Sequence, residues 1–208
     1  ALATSRIRLA TAVTNPVTRH VSVLASAINA VEEIAPGRIE LWIGRGMTAT
    51  GTIGLPPALL RDMRESVSTL RKLLAGETVD FNDISSELLH RGENRIPVYM
   101  AATGPKALVL AGAVADGVLV EVGIHPQVIA EVRRYITEGA RLANRDPEEV
   151  QLIASATTII EDDIQSAQER ARLLAVHWLV EPQFASWLRV AGIETDSVNL
   201  PRALWDLY

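Results

Sequence analysis

The chain has 208 residues, 48% of them hydrophobic and 22% charged, a composition typical of a globular protein with a sizeable core. Lys and Arg number 20 against 25 for Asp and Glu, and the net charge of −5 argues against a nucleic-acid-binding protein. The absence of cysteine excludes a disulfide scaffold, a thiol nucleophile and cysteine-bound metal centres. The apolar runs are too short to span a bilayer and no signal peptide opens the chain, so we expect a cytoplasmic protein without a membrane partner.

Short apolar segments alternate with amphipathic segments, and the period of the hydrophobic residues separates strands from helices. The predicted strands cover residues 6–13, 38–44, 97–102, 117–122 and 150–160. The predicted helices cover residues 18–34, 60–74, 105–115, 126–144 and 164–178, and the C-terminal remainder is also expected to be helical. Thr18 is the expected N-cap of the first helix, residues 45–57 are an expected loop, and residues 75–96 are an expected surface insertion.

The alternation of strands and helices, with strands apolar on both faces, predicts an α/β fold in which helices cover a parallel sheet. We expect a single domain over residues 1–208. Such a sheet either stays open and doubly wound or closes into a barrel, and periodicity does not choose between the two. Five predicted strands are fewer than the eight that a closed barrel needs.

The segment Gly44-Arg45-Gly46-Met47-Thr48-Ala49 fits the G-x-G-x-x-A pattern of a dinucleotide-binding loop. That function requires a helix that starts within the motif and directs its N-terminus at a pyrophosphate. Here a loop is predicted to continue to Pro57, and no acidic residue ends a following strand. We therefore interpret the motif as a strand-end turn whose glycines allow close backbone approach, with a Rossmann-type dehydrogenase as the weaker alternative.

Two further strand ends carry polar groups. At residues 101–106 a strand of small residues runs directly into a helix, and the exposed N–H groups there would suit a phosphate, although an ordinary N-capped helix explains them equally well. At residues 15–20 the Asn15 amide is placed to bond a planar heterocycle, although turn chemistry and helix capping also account for it.

The histidines and acids predict no metal site, because none of the four histidines has another four residues away. His125 and Glu121 follow the fourth strand and could face a ligand, but Glu121 could equally pair with an arginine on a neighbouring strand. No nucleophile elbow or Walker motif is present, and no general acid is identified.

Three segments together resemble the luciferase-like flavin and deazaflavin oxidoreductases. Residues 8–20 (RLATAVTNPVTRH) resemble the third strand of that family, residues 37–46 (GRIELWIGRG) its fourth, and residues 97–117 its fifth strand and the following helix. The most similar branch is that of the coenzyme F420-dependent enzymes, such as methylenetetrahydromethanopterin reductase. The resemblance implies a TIM barrel of which strands 3 to 7 are present and the N-terminal strands and the last strand are lacking.

The implied activity is hydride transfer between coenzyme F420 and a small organic substrate. The alternatives are an FMN-dependent luciferase-like monooxygenase and a non-catalytic barrel fragment. An incomplete barrel exposes two sheet edges, so we expect a homo-oligomer, most simply a dimer.

The resemblance also implies roles for individual residues. Ala12 and Val13 match a non-prolyl cis peptide behind the cofactor ring, and Asn15 matches a position that contacts the ring. Expected cofactor contacts elsewhere are Gly44 and Gly46 through close backbone approach, Thr50 at the cofactor side chain, and Thr103 and Gly104 at its phosphate. Met47 and Ile124 stand where the glucose-6-phosphate-oxidising branch has its catalytic acid and its phosphate-binding lysine, so a substrate that lacks phosphate or has an apolar body is expected.

Overall fold

The computed structural model describes residues 2–180 and 182–193, without the side chains of residues 173, 176–180 and 182. The chain divides into two compact units. The larger unit comprises Ala1–Val120 and Arg133–Ile153, and the smaller unit comprises Glu121–Val132 and Ala154–Tyr208. No helix in the described part of the chain combines the length and the apolar character needed to cross a membrane.

The described strands and helices alternate as the hydrophobic pattern predicts. The strands are β1 (Leu9–Ala10), β2 (Ile39–Ile43), β3 (Val79–Phe81), β4 (Ile84–Ser86), β5 (Val98–Ala101), β6 (Gly117–Val120) and β7 (Gln151–Ala154). The α-helices are α1 (Val21–Ile34), α2 (Met47–Gly51), α3 (Leu60–Ala75), α4 (Pro105–Val114), α5 (Pro126–Leu142), α6 (Ile164–Val180) and α7 (Ala185–Val190). Two 3₁₀ turns lie at Pro147–Glu149 and Pro182–Phe184.

The main sheet has the strand order β1-β2-β5-β6-β7, and the pairs β1–β2, β2–β5 and β5–β6 are parallel. Leu41 pairs with Val98, and Tyr99 pairs with Gly117. The order follows the chain without a reversal, whereas a doubly wound sheet reverses at its ligand-binding crevice. The topology therefore favours the barrel and removes the Rossmann alternative.

Alternation along the strands divides the sheet into an apolar face and a partly polar face. Leu41, Ile43, Val98 and Met100 are each no more than 1% exposed, and their strands contact helices α1, α3 and α4. The intervening positions of β2 and β5 carry Glu40, Trp42 and Tyr99 instead. The polar face, which would line the interior of a barrel, therefore differs from the aliphatic core under the helices.

The first strand is much shorter than predicted. β1 covers two residues rather than 6–13, and after it Thr14 forms an isolated bridge to Ile43. The Thr11 hydroxyl and the Thr14 amide both donate to the Trp42 carbonyl, so these contacts take the place of a regular ladder. β7 is also shorter than predicted, since it covers Gln151–Ala154 rather than residues 150–160.

Two local predictions were wrong. Helix α1 begins at Val21 with His20 as its N-cap, because the Thr18 amide and hydroxyl donate to Asn15 Oδ1 and Thr18 belongs to the preceding turn. The expected loop at 45–57 contains helix α2, whose N-cap is Gly46. The expected helical remainder includes α7, and residues 194–208 lie outside the described part of the chain.

The segment 75–96 contains the antiparallel hairpin β3–β4 and is fastened to α1. The buried Asn29 side chain donates to the His90 carbonyl (2.8 Å) and accepts from the Gly92 amide (3.1 Å). The His20 ring lies 4.9 Å from the Phe81 ring, so the hairpin also contacts the beginning of α1.

Candidate active site

Three chain segments meet in the larger unit at the carboxyl ends of β1, β2 and β5. The Thr14 amide donates to the Trp42 carbonyl (3.0 Å), and the Gly44 amide donates to the Thr14 carbonyl (2.8 Å). A Cβ placed on Gly44 would lie 2.9 Å from Val13 Cγ2 and 3.4 Å from Ala101 Cβ. Gly44 is therefore required at the point where the three segments come into van der Waals contact.

Thr11 holds the irregular end of β1 against β2. Its hydroxyl donates to the Trp42 carbonyl (2.7 Å) and accepts from the Trp42 amide (2.9 Å), replacing the ladder bonds that a regular strand would form. Thr11 is not among the site residues predicted from the sequence. A hydroxyl within a short apolar run was the available signal, but threonine is common in strands for packing reasons alone.

Asn15 is 5% exposed and forms the centre of the turn after β1. Its Oδ1 atom accepts from the amides of Val17 (3.0 Å) and Thr18 (2.9 Å) and from the Thr18 hydroxyl (3.2 Å). These contacts use the carbonyl side of the amide only, and Nδ2 donates to no group in the described part of the chain. The turn therefore fixes Asn15 in an orientation that leaves its two N–H donors available.

Gly46 begins α2 in a left-handed conformation (φ 86°) and packs on Asn15. A Cβ at this position would lie 2.8 Å from both Cβ and Cγ of Asn15, so the site excludes any other residue on two grounds. Thr50 is fully buried one turn later, and its hydroxyl donates to the Gly46 carbonyl (2.9 Å). Gly46 and Thr50 are thus brought to the Asn15 turn, but the Thr50 hydroxyl is occupied inside α2.

The N-terminus of α4 lies at the end of β5. Its N-cap is Gly104, with φ −89° and ψ 153°, which forms no side-chain cap bond, and Pro105 is its first residue. A Cβ on Gly104 would find no atom within 4 Å, so the space beside the helix terminus is open. Thr103 is partly exposed immediately before it. The helix dipole and the first N–H groups therefore face open space, which suits an anion.

A layer of polar side chains lies on the partly polar face of the sheet, towards the amino ends of the strands. Trp42 Nε1 donates to Glu40 Oε2 (2.8 Å), Glu40 pairs with Arg8, and the Tyr99 hydroxyl donates to Gln151 Oε1 (2.6 Å). Burial raises the pKa of Tyr99, and the Glu40 carboxylate raises that pKa further. This layer fixes the Trp42 ring two residues before Gly44.

At the carboxyl ends of β1, β2 and β5, no contact of a carboxylate or histidine side chain is found within the described residues. Met47 is 60% exposed at the beginning of α2, and Ile124, in the smaller unit, is 65% exposed. Glu121 and His125 also belong to the smaller unit, so their approach to the ligand remains a prediction. Within the described residues, no group of three His, Asp or Glu side chains could hold a metal ion.

A family model described as luciferase-like monooxygenase matches residues 1–198. The chain belongs to the luciferase-like monooxygenase family. The matched region contains the larger unit and the smaller unit as far as residue 198.

Similar members of the luciferase-like family include two curated 5,10-methylenetetrahydromethanopterin reductases. The Methanolobus tindarius protein is 37% identical over 180 residues, covering 84% of this chain and 55% of the relative. The Archaeoglobus fulgidus protein is 32% identical over 208 residues, covering 97% of this chain and 62% of the relative. The chain thus spans less than two thirds of the length of these relatives.

A solved structure of a coenzyme F420-dependent tetrahydromethanopterin reductase from Methanopyrus kandleri has the same fold. It matches with a TM-score of 0.76 and 27% identity, covering 92% of this chain and 61% of that chain. The match confirms the prediction that the α/β fold corresponds to part of a luciferase-like TIM barrel. The cis peptide at Ala12–Val13, which the family resemblance implied, is also present.

Proposed function

We propose that the protein is an oxidoreductase that transfers a hydride between coenzyme F420 and a small organic substrate. The named activities of its relatives support this proposal. The observation that carries it is the placement, at one sheet edge, of an open helix N-terminus at Gly104 and an Asn15 amide with available donors. The first suits a phosphate and the second suits a heterocyclic ring.

The α4 terminus would hold the phosphate of the cofactor. Gly104 leaves open the space that any side chain would occupy, and the first N–H groups of the helix lie beside that space. Thr103 immediately precedes the helix, is partly exposed and matches a phosphate-contacting position through the family resemblance. No positive side chain is required, because the helix terminus itself carries about half a positive charge.

The Asn15 turn would hold the ring of the cofactor. The Nδ2 donors would bond a ring oxygen or nitrogen. The family resemblance places Ala12 and the 40% exposed Val13 at the ring, and Gly44 allows Val13 and Ala101 to approach each other. Gly46 allows the backbone to approach, and Thr50 acts indirectly by fixing the Gly46 carbonyl. These residues bind, orient and exclude water; the bound deazaflavin supplies the hydride chemistry.

The substrate is proposed to lack a phosphate or to present an apolar body. The exposed side chains of Met47 and Ile124 are apolar at positions where the glucose-6-phosphate branch has an acid and a lysine. Neither side chain could donate a proton or bind an anion.

A homodimer and a cytoplasmic location complete the proposal. Analytical ultracentrifugation tests the dimer, and a monomer at micromolar concentration would contradict it.

Titration of the purified chain with oxidised coenzyme F420, with FMN in parallel, tests the function by cofactor fluorescence. We expect saturable F420 binding that Gly104→Asp weakens at least about tenfold, because the carboxylate would fill the space and repel a phosphate. Thr78→Asp adds the same charge at an exposed position and should leave the affinity unchanged. If FMN binds and F420 does not, the flavin alternative replaces the F420 assignment.

A chain that is folded by circular dichroism yet binds neither cofactor would contradict both cofactor assignments and favour a non-catalytic fragment. If F420 binds, reduction of the cofactor with alcohols and with reduced pterins distinguishes substrate classes. Turnover of glucose 6-phosphate would contradict the substrate proposal, because it requires an acid and a phosphate-binding cation that Met47 and Ile124 do not provide.

A further inference from the structure

A cavity of about 370 Å³ lies in the larger unit, at the amino ends of β5 and β6. It is therefore at the opposite end of the strands from Asn15 and Gly104. Its walls come from α3, from the residues before β5 and from the turn between α4 and β6. The charged groups that line it are Arg71, Lys72, Glu77, Arg95 and Asp116.

Positive charge exceeds negative charge in this cavity. Asp116 Oδ2 accepts from the Val98 amide (2.9 Å), so only Oδ1 remains for the guanidinium groups. Arg71 Nη2 lies 2.9 Å from that oxygen, and Arg95 Nη2 contacts the same atom. One carboxylate oxygen thus serves two guanidinium groups, each of which has five N–H donors.

Several donors around Asp116 remain available. Arg95 contacts only Asp116 among the described residues, and its side chain is 68% exposed. The Lys72 side chain is exposed and forms no ion pair or hydrogen bond within the described part of the chain. Arg71 differs, since it also donates to the Val114 carbonyl (3.2 Å) and so fastens α3 to the end of α4.

More positive charge lies around the cavity. Arg145 donates to the carbonyls of Gly112 (3.0 Å) and Ala115 (2.8 Å), and burial, followed by the Arg71 guanidinium, lowers the Arg145 pKa. At the rim, a Cβ on Gly76 would lie 2.8 Å from Arg91 Nε. The competing acid in the lining is Glu77, which is exposed and pairs with none of the described cations.

We propose that this cavity binds a phosphoryl group, either as the free ion or on a small organic molecule. The volume is within the range of small-molecule sites. Guanidinium and ammonium donors reach it from two chain segments, which suits the tetrahedral oxygens and double charge of a phosphate. Leu74, Ile96 and Val114 line the cavity beside the charges and would contact an organic part. The Arg71–Asp116 pair builds the site, and Arg95 and Lys72 receive the ligand.

Calorimetric titration of the chain with inorganic phosphate, and separately with glycerol 3-phosphate, tests the site. We expect saturable binding with a dissociation constant of about 1 mM or below. Arg95→Gln combined with Lys72→Gln should weaken it about tenfold or more, since two charge-assisted contacts are lost. Arg61→Gln, which removes an 81% exposed arginine from the other end of α3, is the matched control and should bind like the parent chain. Tighter binding of glycerol 3-phosphate supports an organic phosphate, and equal affinities support the free ion.

The Gly104→Asp variant separates this site from the proposed cofactor site. Phosphate binding that persists in Gly104→Asp and is lost in the double variant supports the arginine cavity. Binding that is lost in Gly104→Asp and retained in the double variant would overturn the proposal and assign the ion to α4. No saturable binding by the parent chain would also overturn it. If the double variant unfolds, Lys72→Gln alone provides the test, because the Lys72 side chain has no described partner to lose.

Discussion

The two ends of the parallel sheet in the larger unit are built in opposite ways. At the carboxyl end, backbone groups, glycines and one oriented amide form the proposed cofactor site around Asn15 and Gly104. At the amino end, Asp116 joins Arg71, Arg95 and the Val98 amide. The charged contacts fasten helices to strands, whereas the small residues leave space. The carboxyl end thus follows the usual placement of active sites in parallel barrels, whereas the amino end combines stabilising contacts with the proposed phosphoryl site.

Asp116→Asn should have the largest effect on stability and should leave the proposed cofactor site at the carboxyl end unchanged. The carboxylate is 9% exposed, and its neutralisation leaves two guanidinium groups without their shared partner. We expect a loss of about 2–4 kcal/mol in the free energy of unfolding, reduced from the fully buried case because Arg95 is exposed to water. Urea denaturation measures it. The exposed Asp83→Asn is the control, and a fall in the F420 affinity of folded Asp116→Asn would contradict the separation of the two ends.

Gly46→Ala should lower both the stability of the chain and its affinity for F420. The new Cβ would lie 2.8 Å from Asn15 Cβ and Cγ, at a φ of 86° that side chains rarely adopt. We expect a loss of about 1–2 kcal/mol in stability and at least a tenfold loss in F420 affinity, because the Asn15 turn must move. Gly51→Ala is the matched control, since a Cβ there meets no atom within 4 Å. Equal affinities of the two variants would show that the turn does not contact the cofactor.

Asn15→Asp should separate binding from folding. Aspartate retains an oxygen for the Val17 and Thr18 amides but lacks the Nδ2 donors. We therefore expect a change in stability within about 1 kcal/mol and a loss of F420 affinity of about tenfold. Denaturation and cofactor fluorescence measure the two quantities. Asn82→Asp, in the β3–β4 turn, is the control, and an unchanged F420 affinity in Asn15→Asp would remove this side chain from the proposed site.

The order of the strands and helices could be predicted because each element carries its own hydrophobic pattern. Helix α3 buries Met63, Val67 and Leu70 at helical spacing, and these were identifiable from the sequence. The details at β1 could not be predicted from pattern. Residues 6–13 have the composition of a strand, but hydrogen bonds from Thr11 and Thr14 to β2 decide where pairing stops. Tertiary contacts therefore override local preference there.

The proposed site was partly accessible to the sequence analysis. The helix start after Gly104 follows from Pro105 at the first helical position. The role of Gly46 required the structure, because its positive φ and its contact with Asn15 join residues 31 positions apart. The cavity at Asp116 was not found for the same reason. Arg71, Arg95 and Asp116 come from three separate segments, and no local spacing relates them.

Tyr99→Phe should produce the smallest effect, and one that depends on pH. Burial and Glu40 raise the pKa of Tyr99 in the folded chain, so above the ordinary value of about 10 the unfolded chain loses this proton first. The stability contributed by the neutral hydroxyl is therefore complete below pH 10 and is lost as the pH rises towards the folded pKa. At pH 8 the free energy of unfolding of the parent chain should exceed that of Tyr99→Phe by about 1 kcal/mol, because the variant lacks the hydrogen bond to Gln151. This difference should shrink above pH 10. Urea denaturation between pH 8 and 11 measures it. A difference in unfolding free energy that stays constant over that range would show that the folded chain does not raise the pKa of Tyr99. Water would then reach the polar side chains around this hydroxyl.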